Sequence, residues 1–139
     1  MRLRPGFDSA RFNDFGKDTL PGLLGMILTE VAESRIRGEL VLRKPLLAPN
    51  GYLHAGTVIS FADTLAGYGC VAHLPEGAEN FTTIELKANF LTTATEGTLQ
   101  GEAHAVHLGR TTQIWDAIVS CGARKLALFR CTQLLIYPK

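Results

Sequence analysis

An α+β domain, with one long helix enclosed by an antiparallel sheet, is the fold class that this 139-residue sequence predicts. Three observations predict it. The segment from His54 to His73 is long, nearly free of charge and rich in small residues: Ala55, Gly56, Ala62, Ala66, Gly67, Gly69, Cys70 and Ala72. Everything after Asn80 is built of Thr-, Val-, Ile- and Phe-rich runs separated by short turn-like joints. A further pair of runs between Met26 and Lys44 also suits strands. Interior glycines weaken an exposed helix by roughly 1 kcal/mol each, so their use points to a helix backbone that a sheet approaches closely.

The elements follow in order. Residues 1–18 carry Pro5, Gly6 and Gly16 and form an irregular or weakly helical lead-in; residues 19–139 form the domain. Thr19–Gly25 suits a short helix, with Thr19 as cap, Pro21 in the first turn and Gly25 as terminator. Met26 to Lys44 makes two strands with a turn near Glu33–Ser34; Ile36, Leu40 and Leu42 share one face, and Gly38 weakens the middle. Pro45 to Tyr52 is a loop marked by Asn50-Gly51, and Pro75–Gly77 is a second. The remaining strands are Thr82–Leu91, Thr98–His107, Thr111–Ser120 and Leu126–Tyr137, four in succession, which implies an antiparallel meander. These pack as one helix layer on one sheet.

Composition narrows the function. Apolar residues at 46% and charged residues at 19% describe a packed globular chain. A net charge of +1 suggests neither a nucleic-acid nor an acidic-lipid surface, and Arg2/Arg4 and Arg35/Arg37 read as solvated positions. Cys70, Cys121 and Cys131 are too few and too far apart for a disulfide framework or a zinc site, and a reducing compartment suits them. His104 and His107, three apart on a strand, should face opposite ways, which argues against metal ligation. No signal peptide or membrane span is visible, and the expectation is a cytoplasmic protein.

Asp63 does not fit its surroundings. It is the only fixed charge between Lys44 and Glu76, and its helical neighbours Ile59, Ser60, Ala66 and Gly67 offer no partner. A carboxylate buried without a partner is costly and has its pKa raised, and such groups mark functional sites. The structural alternative is a solvent gap, or a bond to Thr64 or a backbone N–H. The helix start at His54-Ala55-Gly56-Thr57 supplies unpaired N–H groups at the positive end of the helix dipole, an oxyanion hole for a carbonyl under attack. The two features lie about 13 Å apart along one helix. One chain cannot bring both to one carbonyl, but two copies related by a two-fold axis can.

Asn50-Gly51-Tyr52-Leu53-His54-Ala55-Gly56 followed by Phe61-Ala62-Asp63-Thr64 resembles the hotdog-fold acyl-CoA thioesterases of the PaaI and 4-hydroxybenzoyl-CoA thioesterase type, in which an acidic residue follows the helix-start His by nine positions. The resemblance extends over Gly22–Met26, Thr83–Leu91 and His107–Arg110 to Trp115, roughly residues 20–137. It implies a hotdog fold and hydrolysis of an acyl-CoA. Asp63 is then nucleophile or general base, and the N–H of Ala55 or Gly56 the oxyanion donor. His54 shapes the helix start, and Thr83 is a hydroxyl that helps place water or the carboxylate. Asn50, Thr64 and Arg110 fall on the substrate side. Phe61 and Tyr68 are compatible with a pocket for an aromatic or medium-chain acyl group, or with the core; Trp115 and Phe90 read as core.

The sequence departs from that pattern in three places. Ala55 replaces the first Gly of the usual pair. Ala48 stands where many relatives have an amide, a role that Asn50 would have to take over. Thr92-Thr93 replaces an Arg-Pro associated with CoA phosphate. The rival readings are a hydratase on the same fold, disfavoured because no His follows Asp63 before His73, and a non-catalytic acyl-CoA binding or sensing module. No cofactor or metal is expected, since a carboxylate, water and an oxyanion hole suffice for thioester hydrolysis. The expected partner is a second copy, in a dimer or a dimer of dimers.

Overall fold

The computed structural model describes residues 3–139. Six strands form one antiparallel sheet: β1 (Met26–Ala32), β2 (Arg35–Val41), β3 (Asn80–Phe90), β4 (Thr98–Leu108), β5 (Thr112–Cys121) and β6 (Arg124–Ile136). Three α-helices accompany it: α1 (Ser9–Gly16), α2 (Leu20–Leu24) and α3 (Ala55–Ala72). The expected architecture of one long helix enclosed by a sheet is the one observed. The strand order is β1-β2-β4-β5-β6-β3. The meander expected of the last four strands is therefore corrected: β4, β5 and β6 are consecutive, but β3 pairs with β6 at the edge. The segment between β3 and β4 passes two strands, β6 and β5, as a strand paired at a distance requires.

Helix α3 lies against the concave face because glycines on both sides let it. Gly38 and Gly101 face each other on β2 and β4. A Cβ on Gly101 would stand 2.8 Å from the Phe61 ring, and one on Gly38 would stand 2.9 Å from Leu65. On the helix itself, Gly69 receives the Trp115 ring and Gly67 the Phe81 ring. Phe61, Leu65 and Trp115 are fully buried. Gly38, expected to weaken its strand, is the seat of the helix instead.

The N-terminal segment is more ordered than the sequence suggested. Asp8 caps α1 by accepting the Arg11 N–H at 2.9 Å, and Phe12 is buried in a stack on Tyr68 with ring centroids 4.6 Å apart. Arg2 lies outside the described residues, but Arg4 is not a solvated charge. It donates from its backbone to Ala72 O at 2.8 Å and from Nη1 to Val71 O at 2.9 Å, closing the carbonyl end of α3. Arg35 and Arg37 are solvated as expected, their side chains 41% and 47% exposed, and form surface pairs with Glu30 and, for Arg37, Glu102. Thr19 precedes α2 as expected, but its hydroxyl donates to Gly16 O at 3.0 Å rather than capping; Gly25 ends the helix at φ 79°.

Two expectations on the sheet are corrected. His104 pairs with Asp116 and His107 with Ile114, because the register slips by one at Val106. Asp116 and Ile114 share a face, so the two histidines do too. Phe90 is 47% exposed: edge strand β3 carries it beyond the cover of the helix.

Candidate active site

The loop before α3 is held in place before the helix begins. Leu46 O accepts the His54 N–H at 3.3 Å and the Thr57 hydroxyl at 2.8 Å, and Thr93 Oγ1 accepts the Leu53 N–H at 3.1 Å. Thr93, one of the departures noted above, is thus an anchor for the helix entry. His54 is the N-cap, with φ −65° and ψ 130°. Its Nδ1 accepts the Gly56 N–H at 2.7 Å, which leaves the ring proton on Nε2. A Cβ on Gly56 would meet Nδ1 at 2.9 Å, so a larger residue there would push the His54 ring off this bond.

This geometry separates the two candidate oxyanion donors. The Gly56 N–H is occupied by His54. The Ala55 N–H has no acceptor among the described residues, and Ala55 is exposed. Beside it runs a groove of about 420 Å³ lined by Leu23, Leu24, Pro45, Leu46 and Ser60. It is open, mostly apolar and adjacent to the positive end of the helix.

Two turns further along α3, Asp63 is half-buried, and its Oδ1 accepts from Thr83 Oγ1 at 3.1 Å. Burial pushes the carboxyl up from its ordinary range, and the Thr83 hydroxyl partly opposes that by favouring the ionised form. The partner is thus neither Thr64 nor a backbone group. Thr64 spends its hydroxyl on Ser60 O at 2.7 Å, within its own helix. Asp63 also lies near the Cys131 thiol on β6, which burial first and the carboxylate second push up to about 12.

The structure therefore brings Asp63 and Thr83 together, and gathers His54, Ala55 and Gly56 at the helix start. It leaves the other candidates apart. Asn50 is exposed in the preceding loop, its Oδ1 accepting the Tyr52 N–H at 3.3 Å. Arg110 is exposed in the β4–β5 joint, where its carbonyl accepts the Tyr137 hydroxyl. Leu108, Gln113, Gln133 and Thr83 form one row across four strands, so the end of β4 that leads to Arg110 is three strand spacings, about 14 Å, from Thr83. Phe61 and Tyr68 belong to the core, Phe61 beneath Gly38 and Gly101 and Tyr68 against Phe12.

Sequence reasoning missed Gln113 and Gln133, both fully buried on the helix-facing side of the sheet. Strand parity held the signal: each stands two residues from a buried apolar neighbour, Trp115 or Cys131. Among the described residues, no group of three or more His, Cys, Asp or Glu side chains is arranged to hold a metal, and no helix is long and apolar enough to cross a membrane.

Comparison with known proteins agrees with this architecture. The thioesterase superfamily profile matches residues 50–128. ComA2 of Bacillus subtilis, classed as an esterase, is 31% identical over 121 residues, covering 86% of this chain and 96% of the relative. The 1,4-dihydroxy-2-naphthoyl-CoA hydrolase of Listeria monocytogenes is 28% identical over 110 residues, covering 78% and 89%. A crystal structure of a mutant thioesterase from Pseudomonas aeruginosa superposes with a TM-score of 0.92 at 24% identity, over 98% of this chain and 99% of the other, and so shares the fold. The chain belongs to the thioesterase superfamily and is a thioester hydrolase with the hotdog fold.

Proposed function

We propose that the chain hydrolyses acyl-CoA thioesters at a site shared by two copies, with Asp63 of one and the Ala55 N–H of the other acting on the same carbonyl. The observation that carries this reading is the Thr83–Asp63 pair: a lone carboxylate on an enclosed helix, with its pKa raised by burial and one oxygen held by a hydroxyl. Such a group is poised for base or nucleophilic work.

The chemistry follows from these atoms. Asp63 takes a proton from water as the hydroxyl adds to the thioester carbon, or attacks that carbon itself to give a mixed anhydride that water then cleaves. In either route the carbonyl oxygen gains negative charge, which the Ala55 N–H and the helix dipole stabilise. The C–S bond breaks, and the CoA thiolate takes up one proton: the one Asp63 removed from water in the first route, and one from solvent water in the second. The apolar groove of Leu23, Leu24, Pro45 and Leu46 suits an acyl group or the pantetheine arm, and the naphthoyl-CoA hydrolase among the relatives supports an aromatic acyl group.

A shared site is supported by distance and by the edge of the sheet. Helix α3 is continuous from Ala55 to Ala72, so its start and Asp63 stay about 12 Å apart. Strand β3 leaves one edge unpaired and exposes Ile84, Leu86 and Phe90, which suits pairing with a second copy in a dimer or a dimer of dimers.

The test is a panel of short, medium-chain and aromatic acyl-CoAs, with the released thiol measured by a chromogenic reagent. The parent should turn over at least one, and Asp63→Asn should lose that turnover. A parent that binds acyl-CoA without releasing thiol, or an equally active Asp63→Asn, contradicts the proposal.

A further inference from the structure

Strand β6 alternates, so Cys131, Gln133 and Leu135 all point toward α3. Gln133 is 0% exposed, and neither its Oε1 nor its Nε2 has a partner among the described residues. A buried amide in that state loses its hydration without return unless something else pairs with it. Its neighbour on β5 shows the contrast. Gln113, directly opposite, donates from Nε2 to His73 O at 3.0 Å and accepts the Trp115 Nε1–H at 2.9 Å.

On its other side Gln133 is directly opposite Thr83. Opposed residues on one face have Cβ atoms about 4.5–5.5 Å apart. Gln133 is therefore the cross-strand neighbour of the residue whose hydroxyl donates to Asp63 Oδ1, on the same face of the sheet. Thr83 Oγ1 keeps acceptor capacity, and Asp63 Oδ2 accepts no bond among the described residues. A water shared by the amide, the hydroxyl and the carboxylate would have the two to four partners that a buried water needs.

We propose that Gln133 is a positioning residue of the hydrolytic site, its amide holding a buried water against Thr83 and Asp63 and so fixing the orientation of the carboxylate. The inference rests on Asp63 being the catalytic carboxylate. The groups that face Asp63 or its surroundings are Thr83 on β3 and, on β6, the Cys131 thiol, which burial keeps protonated. Strands β2, β4 and β5 turn Ile36, Ala103, Gln113 and Trp115 toward the helix, none of them charged. The acid side of the rate profile therefore reports the polar shell around Asp63.

The test uses Gln133→Met in the full chain, with hexanoyl-CoA and benzoyl-CoA as probes. Replacing the amide by an apolar side chain of similar length leaves Thr83 and Asp63 to hold the water without it, so the melting temperature should fall while the chain still folds, and a melting temperature equal to or above the parent's counts against a water held by the amide. The value of kcat should fall about tenfold, the scale of one hydrogen bond to a charged group, with kcat/KM falling in parallel. The acid limb of kcat should move to higher pH by about 0.5 unit or more, because a neighbour favouring the ionised carboxylate is gone. Parental kcat with an unmoved limb overturns the inference. If Gln133→Met does not fold, Gln133→Glu takes its place: a second carboxyl beside Asp63 should raise the acid limb, and an unchanged profile overturns the inference. An active Asp63→Asn would remove the underlying site reading, whereas an inactive Asp63→Asn beside a parental Gln133→Met removes this inference alone.

Discussion

Replacing Ala55 by proline deletes one atom pair, the N–H assigned to the oxyanion. Proline is accepted at the first helical position because that N–H has no partner within the helix. His54, which would precede it, already has φ −65° and ψ 130°, the extended conformation that a residue before proline needs. The Ala55 N–H has no acceptor among the described residues, so its removal breaks no bond of the free protein. The melting temperature of Ala55→Pro should be no lower than that of the parent. Catalysis should suffer: loss of one oxyanion donor costs about 10²–10³-fold in kcat, or about 2.7–4 kcal/mol of transition-state stabilisation. Ala55→Gly, which keeps the N–H, serves as the control and should stay within about tenfold of the parent. Steady-state thiol release on the best acyl-CoA, with a thermal melt of each variant, makes the comparison. An Ala55→Pro protein that folds and turns over at the parental rate refutes the assignment, and the oxyanion donor would have to be sought elsewhere.

Other substitutions probe the same account. Asp63→Asn should lower hydrolysis by about 10²–10⁴-fold, the usual contribution of acid–base catalysis, and should hold or raise the melting temperature. The stability of the parent should also depend on Asp63. Its folded pKa lies above the unfolded value of 3.8, so its contribution is fully present below that value and is lost as pH rises through the folded pKa. Urea titrations from acid to neutral pH should show that loss in the parent and not in Asp63→Asn. His73 acts in the opposite sense. It is buried, with Nε2 accepting the Ser34 N–H at 2.9 Å and Nδ1 bonded to Gly69 O at 2.7 Å, and burial lowers its pKa from 6.5. Stability should therefore fall as pH drops from 6.5 through the folded value, and His73→Gln should blunt that fall. Gly101→Ala would press a methyl into Phe61 and should cost about 1–3 kcal/mol in a denaturant melt, while an unchanged midpoint would contradict the close helix–sheet contact.

How far the sequence discloses this molecule depends on the range of the interactions involved. Helix α3 is legible because small residues and a missing charge pattern run unbroken from Ala55 to Ala72, and Asp63 because nothing else in that stretch carries charge. The turn at Glu33–Ser34 is local, and the sequence places it where the two strands meet. The position of β3 is not local. Its pairing of Phe81 with Leu135 joins residues more than fifty apart, and chain order alone favours the nearer neighbour β4. The common face of His104 and His107 depends on a single slipped residue, Val106, which no residue type announces. Arg4 looks like a free charge until the end of α3 folds back on it. Gln133 was hidden by its polarity: alternation with Cys131 and Leu135 pointed it inward, but an amide on a strand is ordinarily read as solvent-facing. The Thr83–Asp63 bond joins residues twenty apart and came to light through family resemblance rather than spacing.

The central claim is that one copy supplies the carboxylate and another the N–H, and mixing two inactive variants tests it most directly. Asp63→Asn and Ala55→Pro are each assayed alone, then unfolded together in equal amounts and refolded as mixed oligomers. A shared site predicts that half of the random dimers are mixed, each with one intact site of two, so that activity recovers to roughly one quarter of the parental value. A site contained within one chain predicts no activity beyond the sum of the two variants, and that result would contradict the account.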